Sequence, residues 1–495
     1  SSGNYHTCAI LDDGSVSCWG ENDDGQLGDG TETDRNTPTQ TYSLGIGRTA
    51  VSISVGSEHT CAILDDGSVS CWGRNNKGQL GDGTTTDRSN PTQTGSLGSG
   101  RTAVAISSGV QHTCALLDDA SVVCWGYNNI GQLGDGTTTD RHDPTQTSSL
   151  GTDRTAVAIT TGEKHTCALL DDGSVSCWGD NGYGQLGDGT NTDSFTPTQT
   201  DSLGFGRTAV SIATGDHHTC TVLDDGSVSC WGWNDWGQIG DGSNTNINVP
   251  TQTSSLGTGR TATTISTSMY NTCTVLDDGS VSCWGENSAG QIGDGTTTDR
   301  NIPTQTLNLN PQTIQVSERD YDGDGTLNIF DDAYYCLAGN YHDILKQSDC
   351  TAAETGHYIP PGNQIMQIIP SDGSHSCMIS DDGGISCWGK NTRGQLGDGT
   401  TTLSYTPVDV DLPAGRTATS MSAFNEAACA ILDDGSIYCW GWNDYGQLGD
   451  GTTTDSSTPV AVSMPTGRTA VQIDALHKTV CCLLYTSDAA DDVRG

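Results

Sequence analysis

Short runs of alternating apolar and polar residues follow one another along the chain, and Gly-rich turns separate them. An alternation with a period of two predicts β-strands. In the second unit the predicted strands are residues 50–55, 60–64, 68–72 and 91–94. The spacer Asp65-Asp66-Gly67 between the second and third runs suits a type I turn that a left-handed glycine closes. Each unit is therefore predicted to form four short antiparallel strands.

The unit recurs at a fixed period. The block His-Thr-Cys-Ala-Ile-Leu-Asp-Asp-Gly-Ser-Val-Ser-Cys-Trp-Gly appears, barely altered, eight times. Its second cysteine is Cys18, Cys71, Cys124, Cys177, Cys230, Cys283, Cys387 and Cys439, with a spacing of 53 residues for the first six, then 104, then 52. A fixed period of this size indicates units that bury their apolar faces against neighbouring copies. Four strands per unit predict an all-β fold built from propeller blades.

The repeated motif is similar to that of a known family. Its residues read Gly-x-x-His-Thr-Cys-Ala-x-Leu-Asp-Asp-Gly-Ser-Val-x-Cys-Trp-Gly-x-Asn-x-x-Gly-Gln-Leu-Gly-Asp-Gly. This motif resembles the RCC1 (regulator of chromosome condensation) repeat over nearly the whole chain. The resemblance implies a β-propeller, typically with seven blades. It implies much less about function, since the fold hosts exchange factors, inhibitor-binding proteins and surface proteins alike.

The grouping of the blades is open at this level. Eight Trp-Gly units are present, residues 468–481 begin a ninth, and Ser1 lies in the middle of a blade. We expect about seven or eight blades, truncated at both ends, and we favour one complete ring followed by a partial one over a single ring. The predicted segments are repeats one to six (1–306), an insert (307–361), repeats seven, eight and the start of a ninth (362–481), and a tail (482–495). The tail resembles a translated sequencing-adapter end, so we assign it no function.

Cysteine spacing predicts disulfides inside each blade. The two cysteines of every block are ten residues apart and straddle the turn, which places Cys61 opposite Cys71 at close to disulfide distance. The predicted pairs are Cys8–Cys18, Cys61–Cys71, Cys114–Cys124, Cys167–Cys177, Cys220–Cys230, Cys273–Cys283, Cys377–Cys387 and Cys429–Cys439. Buried free thiols and a zinc site are the alternatives. Disulfides would indicate an oxidising, extracellular or cell-surface setting.

The insert carries a pattern typical of a calcium loop. Acidic residues stand at loop positions one, three and five, glycine at six and an apolar residue at eight, a spacing that wraps oxygen atoms around a hard cation. The candidate ligands are Asp320, Asp322, Asp324, Thr326 (through its carbonyl), Asn328 and Asp331. The loop resembles those of dockerin and thrombospondin type 3 repeats, and we predict a structural calcium ion. A linker that binds nothing tightly is the alternative.

A second segment of the insert also contains cysteine. The stretch 335–358 resembles a short Cys-rich ectodomain repeat of the ephrin-receptor-like kind. The resemblance implies one further bridge, between Cys336 and Cys350.

Composition limits the class of partner. The chain has 20 Lys and Arg against 61 Asp and Glu, which gives a net charge of −41. We expect no nucleic-acid partner, because phosphate binding needs a cationic surface. The charge favours solubility in a salty exterior, with cation binding or attraction to basic partners as the alternative. No stretch of about 20 apolar residues is present, so no membrane span is predicted in this sequence.

Two sets of positions differ between units: the residues after Trp-Gly and the residues before the repeated histidine. Because strand direction alternates, both sets should lie at one end of the propeller, here called the variable face. The near-constant Asp-Asp-Gly turns should lie at the opposite end, the uniform face. Exposed Trp and Tyr often anchor interfaces, so the candidate binding residues are Tyr127, Tyr183, Trp233, Trp236, Trp442 and Tyr445. Drift at loop tips is the alternative.

The repeated histidines are predicted to be structural. They are His6, His59, His112, His165, His218 and His375. Because they recur in nearly every unit, each is expected to fix its own blade through hydrogen bonds to neighbouring backbone. No Ser-His-Asp, Cys-His or paired-carboxylate arrangement stands apart from the repeat, so we predict that the chain is not an enzyme.

These features favour an extracellular or cell-surface binding scaffold that engages a protein or a glycan on its variable face. A regulator of a small GTPase that promotes guanine-nucleotide exchange is one alternative, although paired cysteines suit a reducing nucleus poorly. A polysaccharide-acting enzyme is a further alternative, although the sequence shows no site for it.

Overall fold

The computed structural model describes residues 6–307, 365–371, 374–424, 426–465 and 467–473, together with two short strands at 340–342 and 350–352. Apart from that strand pair, these residues form eight four-stranded antiparallel sheets. They contain no helix, and so none that could span a membrane. The predicted all-β propeller of four-stranded blades is confirmed. The candidate calcium ligands, Cys336 and the tail lie outside the described residues.

The first four units form blades 1 to 4. Blade 1 contains β1 (His6–Leu11), β2 (Val16–Gly20) and β3 (Arg35–Gln40). Blade 2 contains β4 (Ala50–Val55), β5 (His59–Leu64), β6 (Val69–Gly73) and β7 (Arg88–Gln93). Blade 3 contains β8 (Ala103–Ser108), β9 (His112–Leu117), β10 (Val122–Gly126) and β11 (Arg141–Gln146). Blade 4 contains β12 (Ala156–Thr161), β13 (His165–Leu170), β14 (Val175–Gly179) and β15 (Ser194–Gln199).

The later units follow the same order. Blade 5 contains β16 (Ala209–Thr214), β17 (His218–Leu223), β18 (Val228–Gly232) and β19 (Ile247–Gln252). Blade 6 contains β20 (Ala262–Thr267), β21 (Asn271–Leu276), β22 (Val281–Gly285) and β23 (Arg300–Gln305), and the insert contributes β24 (Asn340–His342) and β25 (Cys350–Ala352). Blade 7 contains β26 (Ile365–Pro370), β27 (His375–Ser380), β28 (Ile385–Gly389) and β29 (Ser404–Asp409). Blade 8 contains β30 (Ala418–Phe424), β31 (Ala427–Leu432), β32 (Ile437–Gly441) and β33 (Ser456–Ala461), and β34 (Ala470–Ile473) follows it.

The eight blades close into one ring. β34 pairs with β1 and completes blade 1 in the order β3-β2-β1-β34. Across this junction Trp19 Nε1 donates a hydrogen bond to Gln447 O at 2.8 Å. Trp388 makes the equivalent 2.9 Å bond to blade 6, so blade 7 follows blade 6 directly despite the insert. The preference for one complete and one partial ring is therefore wrong. The ninth unit supplies the strand that the first unit lacks, which leaves no open inner edge on β1.

Each central hairpin has the predicted register. Cys61 lies opposite Cys71, and the amide of Leu64 donates to Ser68 O at 2.8 Å to close the turn. Gly67 takes the left-handed conformation with φ of 74°. All eight predicted disulfides within blades are present, with Cα–Cα distances of 4.0–4.1 Å. The predicted Cys336–Cys350 bridge lies outside the described residues.

The apolar core lies between adjacent blades. Trp72 of blade 2 is fully buried in a cluster with Cys18 and Leu27 of blade 1. The same tryptophan is fully buried in all eight blades: Trp19, Trp72, Trp125, Trp178, Trp231, Trp284, Trp388 and Trp440. A blade alone would expose this ring, so the units depend on their neighbours for stability.

The buried histidines also join neighbouring blades. Each Nε2 lies 2.9–3.1 Å from a threonine hydroxyl of the next blade, in the pairs His6–Thr60, His59–Thr113, His112–Thr166, His165–Thr219 and His218–Thr272. The Nε2 partner of these five histidines is thus a side chain of the next blade, and not the neighbouring backbone of the same blade that the sequence predicted. Each imidazole lies at the interface between two blades, and its Nε2 contacts the threonine hydroxyl on the other side of that interface. Burial lowers the pKa of His6 to about 3 and of His59 to about 4, so these imidazoles are neutral.

Blades 6, 7 and 8 depart from this pattern. In blade 6 the histidine position is Asn271, whose Nδ2 donates to Glu286 O. In blade 7 His375 Nδ1 contacts Ser371 Oγ of its own blade at 2.7 Å. In blade 8 the histidine position is Ala427, and Phe424 occupies the position that is glycine in blades 2 to 5. A Cβ at that glycine would overlap the histidine ring, as it would at Gly162. Phe424 and Ala427 are both buried in one apolar cluster. In blade 8 the bulky side chain is therefore on the first strand, whereas in blades 2 to 5 it is the histidine of the second strand.

Candidate binding face

The two ends of the propeller differ in chemistry. On the uniform face, within the described residues, an arginine before the first strand pairs with the Asp-Asp turn of the same blade in seven blades. Arg48 Nη2, for example, lies 2.5 Å from Asp66 Oδ2. The Ser68 hydroxyl and amide donate to Asp66 and hold its pKa below the usual value. The arginine and aspartate charges of the uniform face are therefore paired with each other in the same way in these blades.

On the variable face, every loop after the third strand is built on a buried asparagine. Asn75 Oδ1 accepts from Leu80 N at 3.0 Å, and its Nδ2 donates to Thr84 O at 3.2 Å. Asp82 Oδ1 accepts from Thr84 N at 3.0 Å, as expected of loops in which Asp and Thr satisfy local amides. The same bonds recur from blade to blade. The loop backbone is thus constant, and only selected side chains vary.

Two positions on this constant loop vary most. We call the residue directly after Trp-Gly the entry position and the residue three further on the tip position. The entry amide donates to the carbonyl of the residue before the histidine, as Trp233 N does to His217 O at 2.9 Å. The two variable sets predicted from the sequence therefore lie together at one end of the ring.

Five ring-bearing side chains meet where blades 4, 5 and 6 adjoin. This aromatic cluster comprises Tyr183, His217, Trp233, Trp236 and Tyr270. Trp233 is central, with its ring centroid 5.8 Å from those of Tyr183 and His217 and 5.7 Å from that of Tyr270. Trp236 lies 6.3 Å from Tyr270. His217 and Tyr270 were not among the candidate aromatic residues, although both occupy variable positions before the repeated histidine or its substitute.

The other candidate aromatic residues lie elsewhere on the variable face. Trp442 and Tyr445 of blade 8 form a pair with ring centroids 5.5 Å apart, and Tyr127 belongs to blade 3. Three of the six candidates thus belong to the aromatic cluster, two to the blade 8 pair and one to blade 3. They were expected to be exposed, but only Tyr183 is, at 38%, and the others are half-buried because each packs against a neighbouring side chain.

The variable face carries carboxylates, some of which pair with cations of the chain. In blade 1, burial together with the carboxylates of Asp23 and Asp34 raises the pKa of Glu21 to about 7. Beside the aromatic cluster, Glu163 Oε2 lies 3.2 Å from His217 Nε2, and its other oxygen lies 2.7 Å from Lys164 Nζ. Burial and neighbouring carboxylates thus disfavour the charge of Glu21 in blade 1, whereas Glu163 beside the aromatic cluster is paired with Lys164.

Within the described residues, no group of three or more His, Cys, Asp or Glu is placed to hold a metal ion. The predicted calcium ligands lie outside this part of the chain, so calcium binding stays a prediction. The arrangement that distinguishes the variable face is a set of half-buried aromatic rings on rigid loops with acidic neighbours.

Known proteins share this fold. The RCC1-like domain family matches residues 1–318, and the Regulator of chromosome condensation (RCC1) repeat matches residues 382–431 and 434–483. The Ultraviolet-B receptor UVR8 of Arabidopsis thaliana is 28% identical over 413 residues, which cover 83% of this chain and 81% of the receptor.

Two solved structures are similar in the same way. Human WBSCR16 superimposes with a TM-score of 0.58 at 20% identity, covering 83% of this chain and 97% of that one. Prp20p of Saccharomyces cerevisiae superimposes with a TM-score of 0.57 at 16% identity, covering 97% and 91%. At these identities the likeness shows the fold alone. Together with the repeat pattern and the eight blades, the match over residues 1–318 shows that the chain belongs to the RCC1-like domain family.

Proposed function

We propose that this protein is a binding scaffold whose variable face engages a partner protein. The observation that carries the proposal is the contrast between the two ends of the ring. The uniform face repeats one Arg–Asp arrangement, whereas the variable face changes side chains on a constant loop backbone. The aromatic cluster supplies the half-buried rings that commonly anchor protein interfaces.

We place this scaffold outside the cell or at its surface. Eight disulfides would be stable in an oxidising compartment. A calcium ion in the insert would act as a structural ion, since the predicted loop resembles those of extracellular repeats. We propose no nucleic-acid partner and no catalytic activity.

The relatives support protein binding in general terms. Prp20p has binding properties to Gsp1p and histones, and UVR8 is named a receptor. A role as a GTPase regulator is the second candidate, and it rests on family membership. Eight disulfides disfavour it, because a reducing compartment would break them. A glycan ligand or a polysaccharide-acting enzyme is a weaker candidate.

A pull-down from culture medium and cell envelopes tests the proposal. The parent is compared with a Trp233→Ala/Trp236→Ala/Trp442→Ala variant of the variable face. Phe205→Ala is the matched control, because this fully exposed aromatic residue lies on the uniform face. A protein held by the parent and the control but lost by the folded triple variant supports the proposal. Equal capture by all three proteins contradicts it.

A further inference from the structure

Aromatic entry residues on the variable face already bind cations from within the chain. In blade 3, Lys77 Nζ lies 4.5 Å from the ring centroid of Tyr127. In blade 8, the guanidinium carbon of Arg393 lies 5.8 Å from the ring centroid of Trp442. Both distances are within the range of cation–π attraction. In each case the cation stands at the tip position of the preceding blade and the ring at the entry position of the next.

Blade 5 has the ring but not the cation. Its entry residue is Trp233, and the tip position of the preceding blade is Tyr183. Among the residues that the structure describes, no Lys or Arg lies over Trp233 or Trp236. Lys164 is close by, but its ammonium group pairs with Glu163. The same loop geometry that places a cation on Tyr127 therefore leaves the ring of Trp233 among other rings.

The surroundings of the aromatic cluster favour a positive ligand. The carboxylates on the adjoining loop positions are Asp180, Asp235 and Glu286, together with Glu163, which is already paired with Lys164. The whole chain carries a net charge of −41, which adds a long-range attraction for basic partners. The rings do not form one flat platform, since Trp233 is tilted by 36° to Tyr183 and by 59° to Tyr270. A sugar stacks best on a flat exposed ring, whereas a cation is attracted by several ring faces together.

We propose that the aromatic cluster binds a lysine or arginine side chain from a basic segment of the partner protein. This inference rests on the proposed function and names the chemistry of its partner. Trp233 is the central contact, Tyr183 and Trp236 flank it, and the carboxylates of neighbouring loops balance the incoming charge. The partner would supply to Trp233 the cation that Lys77 supplies to Tyr127 and that Arg393 supplies to Trp442.

The probe is a short synthetic peptide of alternating Lys, Arg and Ser, labelled for fluorescence anisotropy and titrated at physiological salt. Its neutral counterpart carries acetyl-lysine and citrulline at the same positions. The parent should bind the basic peptide at least tenfold more tightly than the neutral one. Trp233→Leu should weaken binding of the basic peptide by about tenfold without changing the charge of the protein. Unchanged affinity in a folded Trp233→Leu variant overturns the inference, since attraction to net charge alone would then explain binding.

A graft of the pattern found in blades 2 and 3 gives a second test. Tyr183→Lys places a cation of the chain at the tip position beside Trp233, as Lys77 stands beside Tyr127. It should weaken peptide binding by about tenfold, whereas Tyr183→Phe should change it less than twofold. Phe205→Lys adds the same charge on the uniform face and should have little effect. Equal weakening by Tyr183→Lys and Phe205→Lys contradicts the inference.

The reverse graft should open a second site. Arg393→Ala removes the cation over Trp442 and should strengthen peptide binding, an effect that Trp442→Leu then abolishes. If neither variant alters peptide binding, the analogy between the two rings is wrong. The proposed function survives such failures when the triple variant still loses its partner in the pull-down. Preferential binding of a neutral oligosaccharide by the aromatic cluster would refute the basic-segment inference.

Discussion

Replacing His165 with alanine should destabilise the propeller, and adding phenylalanine at Gly162 should restore part of the lost stability. Blade 8 provides the template, since it has Phe424 and Ala427 at the two corresponding positions. In blade 4 the three atoms closest to a Cβ on Gly162 all belong to the His165 ring. Each single substitution therefore disturbs the contact between these two positions. The double substitution replaces the large side chain of His165 with one at position 162, as in blade 8.

The magnitudes follow from the contacts. His165→Ala leaves a cavity in a buried interface and removes the 3.1 Å contact with Thr219, a loss of about 3 kcal/mol. Gly162→Phe alone forces its side chain against the imidazole and costs about 2 kcal/mol. In the double variant Thr219 Oγ1 still donates to Gln185 O at 3.0 Å, so the remaining loss should be about 2 kcal/mol. The coupling between the two substitutions is then about 3 kcal/mol.

Urea denaturation with disulfides intact, followed by tryptophan fluorescence, measures these free energies of unfolding. The control pairs Gly162→Phe with His6→Ala in blade 1, where the two positions do not touch and the losses should add. If the blade 4 pair is also additive, Phe424 does not compensate for the missing histidine, and the explanation of blade 8 is wrong.

Three further predictions concern a turn, acid stability and calcium. Ala120 has φ of 63° at a turn position that is glycine in the other blades, so Ala120→Gly should stabilise the protein by about 1 kcal/mol and Gly67→Ala should do the reverse, as measured by urea midpoints. Burial lowers the pKa of His6 to about 3 and of His59 to about 4, so their contribution to stability is complete above pH 6.5 and declines as pH falls toward 4. The expected slope is about 1 kcal/mol per pH unit for each histidine, and an unchanged slope in His59→Gln would count against it. Calorimetric titration with Ca²⁺ should show one site that Asp320→Ala removes, and equal heats from both proteins would exclude the predicted loop.

Local pattern was enough to predict the strands, the turn and the eight disulfides. Hydrophobic alternation depends on residues two apart, and the register of Cys61 and Cys71 depends on a three-residue turn. Ring closure was predicted wrongly, because it depends on β34 and β1, which stand at opposite ends of the described chain. The histidine contacts were misassigned for the same reason, since His59 and Thr113 are 54 residues apart.

The variable face was located correctly, but its composition needed the structure. Strand alternation alone places the residues after Trp-Gly at the same end as those before the histidine, which the contact between Trp233 N and His217 O confirms. The sequence does not reveal that Trp233 meets Tyr183 from the preceding blade while Trp442 meets Arg393. One signal was available: the tip residue of one unit and the entry residue of the next could have been compared as a pair.

By itself, the sequence determined the repeat, the four-stranded blade, the disulfide in each hairpin and the end of the propeller at which the side chains vary. Each of these depends on residues within one unit, where spacing and strand alternation leave little freedom. Only the tertiary structure decided that eight units and a single returning strand close one ring. It also decided which aromatic residues of adjoining blades form a cluster. Both depend on contacts between units, whose geometry follows from how far each blade is rotated against the next and not from the pattern within a blade.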